Sequence, residues 1–100
     1  MIARQIRDRW AKATCRRPEH EAWAREHHGS RWDATIDGER ARARHARIAY
    51  AQQLCGTCPL REQCRQHHAE LERVEGRRIA GVWAGRSIID RDTKPRLVAA

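Results

Sequence analysis

Ile2, Ile6 and Trp10 recur at intervals of four, which puts them on one side of a helix and predicts a short amphipathic segment before Cys15. The pattern fades from Arg16 to Asp37. There Pro18, Gly29, Gly38 and scattered polar residues predict a loop with a turn of helix over Glu21–Glu26. Asp37 stands where it can cap a helix reaching Leu54, with Ala41, Ile48, Ala51 and Cys55 on one face. Gly56 and Thr57 break that helix. Pro59 suits the first position of the next, in which Leu60, Cys64, Leu71 and Val74 form an apolar stripe and Gly76 the exit. Gly81-Val82-Trp83-Ala84-Gly85 reads as a turn carrying one large aromatic. Ser87-Ile88-Ile89-Asp90 then reads as a capping box for a short last helix that stops before Pro95. Nowhere do apolar and polar residues alternate over five positions, so no sheet is expected. The expected class is all-α, a small domain of about four short helices.

Composition makes this pattern look thin. Only 14 of 100 residues are Leu, Ile, Val or Phe, and 16 of the 40 nominally hydrophobic residues are Ala. So few core formers combined with a net charge of +8 is the signature of a chain that cannot bury enough apolar surface to fold. Either the chain is unfolded or something other than apolar side chains holds it together. The four Cys are the candidates.

The 21 basic and 13 acidic residues are spread along the chain, +5 over 1–50 and +3 over 51–100, so there is no isolated basic tail. A basic balance favours anionic partners such as nucleic acid or acidic protein surfaces. Since 19 of the 21 basic residues are Arg, GC-rich coding accounts for part of it, and Arg40, Arg42, Arg44 and Arg47 read as a solvated helix flank. No run approaches the roughly 18 apolar residues of a membrane span, and the Arg-interrupted N-terminus has no signal-peptide core, so a cytoplasmic protein is expected. His20-Glu21 opens like a zinc-protease motif, but Ala24 stands where the second His belongs. With no phosphate-binding loop and no nucleophile elbow either, neither an enzyme nor a small-molecule substrate is expected.

In a reducing compartment four Cys imply metal or redox chemistry rather than structural disulfides. Their spacing is Cys15-x39-Cys55-x2-Cys58-x5-Cys64. Two thiolates separated by two residues can bind one centre from a tight turn, in zinc and in iron–sulfur sites alike. Bringing Cys15 to the other three closes a long loop, so ligation energy is folding energy and the metal-free chain is expected to be disordered. Spacing leaves the metal open, and His67 or His68 offers a three-Cys, one-His variant. Cys55-Gly56-Thr57-Cys58 also matches a thioredoxin-type redox pair, but that pair belongs after a strand in a βαβ setting, which is lacking here.

The lone Cys15, then Cys55-x2-Cys58-Pro59-Leu60-Arg61-x2-Cys64, then Gly81-Val82-Trp83-Ala84-Gly85 followed by Ser87 and Asp90, resembles the WhiB-like family of actinobacteria and their phages. The likeness runs from Cys15 to about Arg91, and its motifs stand in the family's order. It implies a helical domain organised around a [4Fe–4S] cluster on Cys15, Cys55, Cys58 and Cys64, and docking on the C-terminal domain of the primary sigma factor of RNA polymerase. The turn residues Gly81, Val82, Trp83 and Gly85 would contribute to the docking surface. Such a regulator would alter promoter use and could respond to O2 or NO, with Arg86, Arg91, Lys94 and Arg96 as candidate DNA contacts. The cluster domain would then span 1–86 and a short basic helix or tail 87–100.

Three features depart from the family pattern. Ala84 stands where the family has Gly, the segment between Cys15 and Cys55 is long, and the aromatic pair expected after the first Cys is replaced at best by Trp23. Trp10, Trp23 and Trp32 otherwise read as packing, with shielding of a cluster from water and oxygen as the alternative. Two other readings remain: a zinc-stapled nucleic-acid-binding module without redox function, and a thiol–disulfide oxidoreductase using Cys55 and Cys58.

Overall fold

The computed structural model describes residues 10–89. A 3₁₀ turn, Thr14–Arg16, leads into helix α1, Pro18–His27; α2 spans Ala41–Gly56 and α3 Arg61–Glu75. Two short strands follow, β1 Gly81–Trp83 and β2 Arg86–Ile88. Ile2 and Ile6, on which the expected first helix rested, lie outside the described residues, as do Arg91, Lys94 and Arg96.

Helix α1 contains the predicted turn over Glu21–Glu26 and extends it at both ends into what apolar periodicity predicts as loop. Its signals are polar: Pro18 in the first turn, Glu19 and Glu21 at the positive end of the dipole, and Arg25 and His27 at the negative end. His28 ends it in the left-handed conformation at φ 58°. Only His20 of this helix is buried.

Helix α2 starts from Arg40, without a side-chain cap, so Asp37 is not its cap. The adjacent carboxylate Glu39 turns instead to Arg47, which is not a solvated flank residue but is 6% exposed. Arg47 Nε donates to Glu39 Oε2 at 2.6 Å and Nη2 to Oε1 at 2.9 Å. Its Nη1 donates to the carbonyls of Arg31 at 2.8 Å and Asp33 at 2.5 Å. One guanidinium therefore fastens the long 28–40 connection from both sides of Trp32. Ala51 and Cys55 are buried on the same face, as the helical spacing requires, whereas Ala41 is exposed.

Helix α3 begins two residues after Pro59 rather than on it. Gly76 ends it at φ 66°, its N–H donating to Glu72 O, as the sequence suggests. The apolar stripe is cut short: Leu71 is half-buried, Val74 is 65% exposed, and the buried residue is His68.

The expected all-α class needs correction, because β1 and β2 form an antiparallel hairpin with Gly81 opposite Ile88 and Trp83 opposite Arg86. Ser87 and Ile88 therefore pair as strand and do not open a last helix. The strands are three residues each, too short to show alternation in the sequence. Ala84 at φ 53° and Gly85 at φ 83° make the two-residue connection, and positive φ at both central positions is the backbone that follows strand twist.

The core is a small cluster of Ala51, Cys55 and Val82, with Trp32 and Ile48 packed against it. No large side chain among the described residues is fully buried, so the poverty seen in the composition persists in three dimensions. No described helix is long and apolar enough to cross a membrane.

Candidate metal centre

Cys15 comes from the 3₁₀ turn, Cys55 from the last turn of α2, Cys58 from the α2–α3 connection and Cys64 from the first turn of α3. All four line one cavity of about 340 Å³, whose wall also includes Trp10, Thr14, Trp32, Leu60 and the hairpin residues Val82, Trp83 and Ala84. The structure thus brings Cys15 to a trio that begins 40 positions further along the chain. Cys55 is buried and Cys58 and Cys64 are half-buried; Cys15 as a residue is exposed, although its thiol is crowded. Desolvation, reinforced by the neighbouring Cys58, Cys64 and Cys55, pushes the Cys15 thiol up to about 11. Burial also raises Cys64, against a backbone hydrogen bond from Ala84.

Three of the sulfurs have N–H groups directed at them. Trp32 Nε1 donates to Cys55 Sγ at 3.2 Å, Leu60 N–H to Cys58 Sγ at 3.4 Å, and the Ala84 backbone to Cys64. Thr14 Oγ1, on the cavity wall, is buried without a hydrogen-bond partner. N–H donors gathered around sulfurs suit thiolates bonded to a cationic core.

The hairpin closes this cavity and is itself pinned from below. Gln52 Nε2 donates to Gly85 O at 3.1 Å and Arg61 Nε to Ala84 O at 3.3 Å. Gly81 packs tightly: at φ 124° an added Cβ would lie 3.0 Å from Trp32 O, the carbonyl that accepts the Val82 N–H at 2.7 Å. Of the turn residues singled out in the sequence, Gly81 and Val82 are buried, while Trp83 and Gly85 are half-buried. Trp83 stacks on His68 at 4.9 Å and donates from Nε1 to Ala80 O. Arg86 is exposed on β2.

No histidine lines the cavity. His68 Nε2 donates to Ile79 O at 2.9 Å beside Glu72, and His67 lies between Trp10 and Trp83. The three-Cys, one-His arrangement therefore has no support. Cys55 and Cys58 follow a helix rather than a strand, unlike a thioredoxin-type pair.

Two residues named in the sequence for other reasons turn out to lie near the site. Trp32, not Trp23, is the aromatic after the first Cys that reaches the cavity. Trp23 instead stacks on His27 at 3.9 Å, under the guanidinium of Arg31, which also lies over Tyr50. His20, rejected as a protease ligand, packs its ring edge-on to Trp32 at 5.2 Å. Its burial, with the charge of Arg31, lowers its pKa.

Comparison with known proteins bears on this arrangement directly. The family model for transcription factor WhiB matches residues 10–93, which takes in the four Cys and the hairpin. The chain belongs to the WhiB family. The WhiB relatives it resembles include the redox- and pH-responsive transcriptional regulator WhiB3 of Mycobacterium tuberculosis, 43% identical over 56 residues, or 56% of this chain and 50% of the relative. The redox-responsive transcriptional regulator WhiB3 of Mycolicibacterium smegmatis is 38% identical over 56 residues, again 56% of this chain and 53% of the relative. The chain thus spans about half the length of the curated relatives it matches, and these are named as regulators, not enzymes. No solved structure matches it.

Proposed function

We propose that the four thiolates hold a [4Fe–4S] cluster and that the domain they close docks on the C-terminal domain of the primary sigma factor to alter promoter use. The observation that carries this reading is the convergence of Cys15, Cys55, Cys58 and Cys64 on one cavity. Four thiolates on a single zinc, each about 2.3 Å from the metal, would lie only about 3.8 Å from one another. The four Cys here line a cavity of about 340 Å³, room that suits a polynuclear core better than one ion. When bound, the cluster would supply a centre reactive toward electrons, O2 and NO.

The chain's own residues do the rest. Cys15 ties the N-terminal segment to the α2–α3 pair, so ligation holds the hairpin between them in place. Val82 and Ala84 face the cavity and support Trp83, whose exposed part, with Gly85, forms the docking edge for the sigma factor. Gly81 permits the close approach of the hairpin to Trp32. Arg86 is free to reach promoter phosphate, and Arg91, Lys94 and Arg96 in the basic segment 87–100 extend that role on the strength of the sequence.

Anaerobic purification with iron, sulfide and zinc analysis tests the cluster: brown protein with equal iron and sulfide is expected, and colourless protein with one zinc would overturn it. Co-purification of the intact holo-protein with the primary sigma factor tests the partner. Loss of that complex in a Trp83→Ala variant that keeps its iron is the expected result.

A further inference from the structure

We infer that the indole N–H of Trp32 is a dedicated hydrogen-bond donor to the Cys55 ligand and sets the reduction potential of the bound cluster. The inference rests on the cluster reading above. Trp32 Nε1 lies 3.2 Å from Cys55 Sγ, within reach of an N–H···S hydrogen bond. The ring is held there from several sides. The Trp32 backbone N–H donates to Ser30 Oγ at 3.1 Å, its carbonyl accepts from Val82, and His20 packs edge-on to the indole at 85°. Arg47 fixes the carbonyls of Arg31 and Asp33, the residues on either side.

Packing alone would be served by any aromatic ring, whereas a half-buried indole N–H needs a partner, and the partner here is sulfur. Cys58 and Cys64 receive backbone N–H groups, which nearly any residue at those positions would provide. Among the described residues the Cys55 donor is the one supplied by a side chain, so a single substitution can remove it. A thiolate that accepts a hydrogen bond donates less charge to iron. This favours the cluster that has gained an electron, which carries the more negative charge, and raises the potential.

Spectroelectrochemistry of the anaerobic holo-protein with mediator dyes tests the inference. Trp32→Phe keeps a ring against His20 and the backbone bonds but loses the N–H. Its one-electron reduction equilibrium should fall about tenfold, a midpoint about 59 mV more negative. Iron content and far-UV circular dichroism should match wild type. Trp23→Phe, which removes an indole that stacks on His27, should leave the potential unchanged. If Trp32→Phe fails to load iron, β-(benzothienyl)alanine at position 32, the shape of tryptophan without a donor, takes its place with the same expectation. A loaded donor-less protein with the wild-type potential would overturn this inference and leave the proposed function standing. A wild-type protein that never acquires a cluster would overturn both.

Discussion

Two ends of α2 anchor the loops around them by opposite means. Towards its N-terminal end, Arg47 meets a carboxylate and backbone carbonyls, so its charge and donors are answered within the chain. Two turns further on, on the same side, Cys55 meets three other thiols across a cavity. There burial and mutual repulsion oppose ionisation, and the charge of Arg16 beside Cys15 offsets them only in part. The first arrangement is complete as a polar hub. On the proposed reading the second is completed by positive charge brought from outside, because deprotonated thiols are the form that binds metal. A chain with so small an apolar core can thus hold one long loop permanently and make the closure of another conditional.

The comparison is broken most directly at the cysteine end. Cys55→Ala removes a ligand and is expected to abolish iron loading. The loss, on the order of 10 kcal/mol of ligation energy, is comparable with the entire stability of a small domain. Anaerobic far-UV circular dichroism should show a largely unfolded protein; a native spectrum without iron would mean that the cavity end stands by itself.

Arg47→Met tests the other end and should have the next largest effect. It leaves Glu39 and the carbonyls of Arg31 and Asp33 without their donor, at a cost of about 3–5 kcal/mol for breaking a buried pair. Urea denaturation of the holo-protein measures it, and a cost below about 1 kcal/mol would reduce Arg47 to a surface residue.

Acid titration sharpens the same point. The hydrogen bonds and charge of Arg47 hold the Glu39 carboxyl below its ordinary value of 4.5. A depressed folded-state value stabilises the protein fully above the unfolded value, and the contribution is lost as pH falls from near 4.5 through the lower, folded one. Glu39→Gln should therefore lose stability at neutral pH and show a shallower decline on acidification. The difference between the two proteins in matched buffers is the quantity to follow; parallel acid profiles would refute the pairing.

The smallest expected effect is a gain. Ala84 sits at φ 53°, where a Cβ is disfavoured by about 1 kcal/mol and Gly is at ease. Ala84→Gly should raise stability by about that much and the melting temperature by about 4–8 °C, without altering iron content. No change in the melting temperature would mean that the turn relaxes freely.

The cysteine set stood out because spacing and chemistry mark candidate ligands without knowledge of the fold, and the structure places all four on one cavity. Helices α2 and α3 were legible from apolar spacing and the Gly76 exit, since both depend on local backbone geometry. The hairpin was not. Strands of three residues have no readable period, and their pairing depends on the contacts of Val82 with Ala51 and Cys55. Helix α1 was legible only as the turn over Glu21–Glu26, because capping and charge, rather than an apolar face, mark its full length.

The sequence by itself determined that only 14 residues are core formers and that four Cys are the candidate ligands, because ligand chemistry and hydrophobic content are properties of residue type. Tertiary structure alone decided that Arg47 is interior and that Trp32 rather than Trp23 faces the ligands. It also decided that the family's glycine position, here Ala84, calls for positive φ. The first two depend on which partners the folded backbone brings within hydrogen-bonding distance, and the third on the pairing of two strands too short to be read from their residues.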